Sequence, residues 1–283
     1  MRPPLSLYPK APGTRDPSAL ERLGARGLKA MQVGAGLAYT LLGAVATLFT
    51  PGKDAAAVCR RITMRQVFFT GFEALPLVSV IALFVGATVA VQTRLVSGSL
   101  NTDLEGQILV AVVLRELAPL VTAIIVAGRS GTAIATELGN MKVNSEVLAL
   151  SSLGIDPLRF VVLPRMIATT VSVLVLTIYF GVLAIVGGHA TRLLLDPGGT
   201  GFISAGFQEA LQPGDLALFA AKGLGLGTLV GWLCCHFGLE AQGSPTEVPQ
   251  KASHAVVVTL LACVVYNASV TIVFYALAGP PVR

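Results

Sequence analysis

Five stretches of the sequence are each apolar enough to cross about 30 Å of hydrocarbon as a helix of roughly 20 residues. They run approximately from Ala74 to Thr93, Ile108 to Gly128, Phe160 to Val186, Leu216 to Phe237 and Ala255 to Leu277. Lipid offers no water to backbone N–H and C=O groups, so spans of this length have to be helical. Composition agrees: of 283 residues, 54% are hydrophobic and 12% charged, with a mean hydropathy of +0.76, well beyond an ordinary soluble domain. The fold class is an all-α integral membrane protein with five transmembrane helices and no length left for a separate soluble domain.

A sixth apolar stretch, Leu28 to Phe49, is long enough to span, yet Arg15, Arg22, Arg26 and Lys29 precede it and Lys53, Arg60, Arg61 and Arg65 follow it. Crossing would place one of those clusters on the outer face, against the positive-inside tendency. A helix lying in the cytoplasmic interface, or dipping in and returning, is preferred over a true span. The chain then divides into a cytoplasmic tail (1–27), an interfacial elbow helix with a basic linker (28–66) and a membrane domain (67–283). Five crossings from a cytoplasmic N-terminus put the loop carrying Arg129, Lys142, Arg159 and Arg165 inside and the C-terminus outside. The loop from Ala190 to Gly214, with Asp196-Pro197-Gly198-Gly199, becomes outward-facing connecting chain. Met1 to Glu21 is rich in proline and charge and has no continuous apolar core, so it is expected to stay in the mature protein.

The formal charge of +5 reflects basic residues concentrated ahead of Val67 rather than a basic face for nucleic acid. No Walker A pattern occurs, because Gly52-Lys53 lacks both the upstream glycine and the following Ser or Thr. HExxH and GxSxG are absent too. Gly223, Gly225, Gly227 and Gly231 fall within a span, where such spacing permits helix packing. Cys234, Cys235 and Cys263 lie in apolar segments and read as packing residues. His189, His236 and His254 stand singly near span ends, which suits an interfacial or solvated role better than metal ligation. The match Asn267-Ala268-Ser269 lies inside a span, out of reach of glycosylation. The chain reads as no enzyme, binding no cofactor or metal of its own.

Two features point to function. The first is Leu114-Arg115-Glu116-Leu117-Ala118-Pro119, which places two ionisable side chains within the second span. Each charge costs about 2.5–3.5 kcal/mol at mid-bilayer, so both need partners or water. Neighbours on a helix point about 100° apart, so they cannot neutralise one another face to face. The face of Glu116 continues through Leu120, Ala123, Ala127 and Gly131, a stripe of mostly small residues that admits another helix or a ligand. Two readings fit: a structural polar pair near the outer interface, or a polar contact in a central cavity for an amphipathic substrate. On the second, Arg115, Glu116, Leu120, Ala123 and Gln92 contact substrate, while Ala127, Gly128 and Gly131 pack helices. Replacing Glu116 by leucine is then expected to leave insertion intact and to weaken transport.

The second feature is the loop helix within Asn144-Ser145-Glu146-Val147-Leu148-Ala149-Leu150-Ser151-Ser152-Leu153-Gly154-Ile155-Asp156-Pro157. Asn144 is expected to cap it, Gly154 to end it in the left-handed conformation and Pro157 to prevent its continuation. Val143, Val147, Leu150 and Gly154 recur at helical spacing as one apolar face. That face either packs under the bundle or enters a groove on a partner.

At these residues the chain resembles the MlaE, or YrbE, permeases of ABC transporters. The resemblance rests on Arg115-Glu116-Leu117-Ala118-Pro119, Val126-Ala127-Gly128-Arg129-Ser130-Gly131, Ala135-Thr136-Glu137-Leu138-Gly139, Gly154-Ile155-Asp156-Pro157 and Pro164-Arg165, in the family's order, and extends from about Met64 to Leu277. It implies a homodimer in the bacterial inner membrane. Two cytoplasmic ATPase subunits that hydrolyse ATP would dock on the coupling helix (Glu146, Val147, Leu150, Gly154, Asp156, Pro157). An MCE-domain protein outside would exchange phospholipid with the cavity. Two departures stand out: Gly243-Ser244-Pro245-Thr246-Glu247-Val248-Pro249-Gln250 is unlike the family's glycine-rich turn, and Asn267 replaces a commonly acidic residue. The competing classes are an ion-coupled carrier, disfavoured by the lack of two similar halves, and a non-transporting assembly protein.

Overall fold

The structure, a computed structural model, describes residues 35–43, 53–97, 106–195, 211, 213–241 and 244–278. The chain divides into two compact units, Met1–Tyr39 and Thr40–Arg283. Residues 35–39 of the first are helical, as are 40–43 of the second. The rest of the expected elbow, 28–34 and 44–49, lies outside the described residues, as do 196–210 of the expected outer loop.

Among its described residues the second unit is built of helices and turns, with five helical runs long and apolar enough to cross a membrane: Val58–Leu95, Gly106–Val143, Leu158–Leu195, Gly214–Leu239 and Glu247–Ala276. The first three run to 38 residues, or about 57 Å at 1.5 Å per residue, so their ends stand well clear of the hydrocarbon. Hydropathy sees only the middle of such a helix. The basic stretch around Arg60, Arg61 and Arg65, expected as linker, is accordingly helical: α1 spans Lys53–Gly71. It joins α2, Leu75–Ser97, through a tight turn at Phe72–Ala74. Pro76 has no N–H for the carbonyl of Phe72, and Leu75 N–H bonds that carbonyl instead, which tightens the helix there.

Arg129 fastens this joint from the second span. One of its nitrogens donates to Phe69 O at 3.0 Å, another pairs with Glu73, and the guanidinium lies over the Phe69 ring at 5.3 Å. The second span contains α3, Ala118–Val126, and α4, Thr132–Val143, separated by a wide π-helical turn at Ala127–Gly131 and preceded by another at Leu109–Leu117. A short helix α5, Glu146–Ser152, follows. Ser145, at φ 60°, holds its N-cap position, whereas Asn144 ends α4, contrary to the expected Asn144 cap. Gly154 has φ +74°, as the left-handed stop requires. Asp156 then starts the third span, its Oδ1 accepting from Leu158 N–H at 3.0 Å, with Pro157 ahead of the π-helical turn Leu158–Val162.

The third-span helix α6, Leu163–Leu195, is the centre of the bundle, with Val173, Leu176, Phe180 and Ala184 wholly enclosed. It runs six residues into the expected loop that begins at Ala190. Glycines set its closest crossings. A Cβ on Gly86 of α2 would fall 1.9 Å from the backbone oxygen of Ala184. In α7, Pro213–Leu239, the series Gly223, Gly227 and Gly231 recurs every fourth residue against α6, and a Cβ on Gly227 would meet Thr170 Cα at 2.6 Å. Gly225 points the other way, to Tyr266 of α8, Glu247–Ala278. Cys234, Cys235 and Cys263 are buried with free thiols, and His236, expected to be interfacial or solvated, is buried as well.

Gly86→Val is expected to lower stability by more than about 3 kcal/mol, because the obstacle is backbone that no rotamer change can clear. Size-exclusion chromatography of the solubilised variant checks this: a monodisperse peak at parental yield would show that α2 and α6 can separate at no cost.

Candidate functional site

The charges of the second span are satisfied across helices. Arg115 and Glu116 lie in the π-helical turn that precedes Pro119. Such a turn widens the helix and changes its angular register, and it brings both side chains toward α7 and α8. Arg115 meets Asp215 at the start of α7 with a forked pair, Nε to Oδ1 at 2.8 Å and Nη2 to Oδ2 at 2.9 Å. It also donates to Tyr275 Oη at 3.0 Å.

Glu116 is the hub of the other half. Its carboxylate accepts from Lys222 Nζ at 2.9 Å, from Asn267 Nδ2 at 2.8 Å and from Thr271 Oγ1 at 2.8 Å. Lys222 is wholly buried, while the Glu116 side chain is 34% exposed. Pro119 supplies a further reason for the lysine. It has no N–H for the carbonyl of Arg115 four residues earlier, and Lys222 Nζ donates to that oxygen at 2.7 Å. In lipid, where a freed carbonyl has no water, this second bond helps hold the ammonium in place.

The four charges cancel: Arg115 against Asp215, Lys222 against Glu116. A carboxylate at position 267 would stand against Glu116 with a single lysine between them. The amide of Asn267 donates instead, so the formal charges of the cluster balance. Its Oδ1 is buried without a donor, one acceptor left over at the site.

Sequence reasoning found Arg115 and Glu116 but missed Lys222, Asp215, Thr271 and Tyr275. Lys222 carried a legible signal, a lone cation amid the glycines of a span. The remaining expected contacts fare differently. Gln92 stands exposed on α2 and makes none of the cluster's hydrogen bonds. Leu120 is half-buried, whereas Ala123, Ala127 and Gly131 are enclosed, so the small-residue stripe is taken up by helix packing. A Cβ on Gly131 would lie 2.8 Å from Cys234 Sγ. A Cβ on Gly128 would meet nothing within 4 Å among the described residues.

The face of α5 is also redistributed. Leu150, expected to enter a partner, packs half-buried on the bundle core, and Val147 is half-buried too. Leu148 and Leu153, at 68% and 75% exposure, are the large apolar side chains that α5 and its end turn outward. Glu146 is exposed and lines a cavity beneath α5, while Gly154, Asp156 and Pro157 shape the turn after it. Among the described residues, no cluster of His, Cys, Asp or Glu has the makings of a metal site.

The family described as Permease MlaE matches this chain over residues 63–273. The chain belongs to the MlaE permease family. A probable ABC transporter permease protein of Rickettsia prowazekii is 31% identical over 218 residues, covering 76% of this chain and 83% of that one. The chloroplastic protein TRIGALACTOSYLDIACYLGLYCEROL 1 of Arabidopsis thaliana is 30% identical over 232 residues, 79% of this chain and 64% of that one. MlaE of Haemophilus influenzae, an intermembrane phospholipid transport system permease protein, is 30% identical over 203 residues, 69% of this chain and 76% of that one. The MlaE match takes in the joint held by Arg129, the Glu116 cluster and the ion pair of Glu137 with Arg165 at 2.8 Å. It is a multi-pass membrane permease of the ABC class.

Proposed function

We propose that this chain is the membrane subunit of an ATP-driven transporter that moves phospholipid, working as a homodimer with two ATPase subunits and an MCE-domain lipid carrier. The observation that carries this reading is Glu116: a carboxylate, one third exposed, held by a neutral polar cluster within the spans. Such a group offers a phospholipid headgroup a hydrogen-bonding wall without presenting a net charge to the membrane. The first and fifth spans are the least buried of the five, and exposed Leu77, Val80 and Phe84, with Leu261, Val265 and Ile272, supply apolar faces for lipid or a second copy. ATP hydrolysis falls to the separate subunits, which dock at the α5 end. That end is cytoplasmic, together with the N-terminus, while the C-terminus is outside, as the basic residues flanking the first and third spans favour. The membrane is the bacterial inner membrane.

Co-purification with the ATPase, then reconstitution with the MCE-domain protein and labelled phospholipid, tests the reading. ATP-dependent movement of lipid is expected. Lipid movement that needs an ion gradient and ignores ATP would overturn it.

A further inference from the structure

Two adjoining cavities open beside α5, built from α1, α4, α5 and the start of the third span and sharing no residue with the Glu116 cluster. The larger, about 680 Å³, has mostly apolar walls that include Val58, Met141, Leu150 and Phe160. The smaller, about 460 Å³, has Arg65, Gln66, Glu137 and Arg165 on its walls. Ile62, Glu137 and Arg165 border both, so the compartments share one wall.

The charges in the smaller compartment do not balance. Arg165 is 7% exposed; its Nη2 meets Glu137 at 2.8 Å and its Nη1 donates to Val161 O at 2.7 Å, but its buried Nε–H has no acceptor. Arg65 is exposed and has no hydrogen bond or ion pair among the described residues. In this compartment Glu137 is the one carboxylate beside two guanidinium groups, with Glu146 on the wall of the larger one, and the unused donors of Arg165 and Arg65 suit an anion. Guanidinium forks suit phosphate oxygens. The depth suits a lipid: α1 and the turn after it also expose Met64, Phe68 and Phe72 beside Arg60, Arg61 and Arg65, the mixed pattern of a helix at the headgroup boundary.

We propose that the two compartments form one binding site for a phosphate-bearing amphiphile, its anionic headgroup on Arg65 and Arg165 and its hydrocarbon chain in the apolar compartment under α5. Each compartment by itself falls within the range of about 300–1,000 Å³ of small-molecule sites. An occupant would lie against Leu150 and brace α5 from beneath. The site requires only that the chain sit in a bilayer and is separate from the transport reading.

Native mass spectrometry of the full-length protein in detergent, titrated with phosphatidylglycerol, tests it. Saturable binding is expected. Arg65→Ala should weaken it about tenfold or more, the equivalent of one charge-assisted hydrogen bond at about 1.4 kcal/mol per decade. Arg60→Ala, on the same helix but outside both compartments, should leave it unchanged, and Ile62→Trp should block it by filling the shared wall. Arg65 is exposed, so its variant keeps the fold and makes the comparison decisive. Diacylglycerol, with chains and no phosphate, should bind at least tenfold more weakly, and inorganic phosphate at the lipid's concentration should fail to displace it. Equal binding by Arg65→Ala and the parent, equal losses in Arg60→Ala and Arg65→Ala, or diacylglycerol binding as tightly would overturn the site. Displacement by equimolar inorganic phosphate would overturn the assignment of an amphiphile.

Discussion

Glu116→Leu is expected to destabilise the folded bundle by about 3–5 kcal/mol, because it strands the ammonium of Lys222 in a wholly buried position. From the sequence alone the same change looked favourable to insertion, since it removes a charge from a span. The tertiary partner reverses that expectation. Lys222→Met should cost less: the charge left behind, on Glu116, is 34% exposed and keeps Asn267 and Thr271 as donors. The double variant Glu116→Leu with Lys222→Met should recover most of the stability lost by Glu116→Leu, since an apolar pair replaces an ion pair. Thermal unfolding of the four solubilised proteins measures the cycle. Additive losses in the double variant would show that the two side chains are not coupled. If Glu116 contacts substrate, the rescued double variant folds and still fails to move lipid.

The second large effect concerns α5. On the proposed function, Leu148→Asp or Leu153→Asp puts a charge into the ATPase interface and should weaken docking by roughly a hundredfold, or about 2.7 kcal/mol. Both side chains are exposed, so the bundle itself should be unharmed. Leu150→Asp should do the opposite, lowering the thermal stability of the permease because Leu150 rests on its core. Pull-down of the ATPase together with melting curves of the free permease separates the two effects. Full ATPase retention by both Leu148→Asp and Leu153→Asp would place the docking surface elsewhere.

Much of the fold was legible because lipid permits only helices, and residue patterns mark where they run. The polar elements around α5 were legible in part. Gly154 stops the helix as read, yet the cap moved by one residue to Ser145. The apolar positions were correctly found at helical spacing, but spacing does not say which partner a face meets. Leu150 met the bundle core and Val147 is half-buried, leaving Leu148 and Leu153 outward. The small-residue stripe admits a neighbouring helix at Ala127 and Gly131, as read, and Ala123, read as a substrate contact, is enclosed with them.

The sequence by itself determined the five helices, the family and the need of Arg115 and Glu116 for partners, because hydropathy and the cost of burying charge act locally. Only the tertiary structure decided who those partners are. Asp215 and Lys222 lie about a hundred residues further on, and Asn267 and Thr271 further still. They reach Arg115 and Glu116 because π-helical turns reset the register of the second span and glycines draw α7 against its neighbours. Side-chain direction after a wide turn, and the close approach of two backbones, are properties of packed helices that no local pattern of residues encodes.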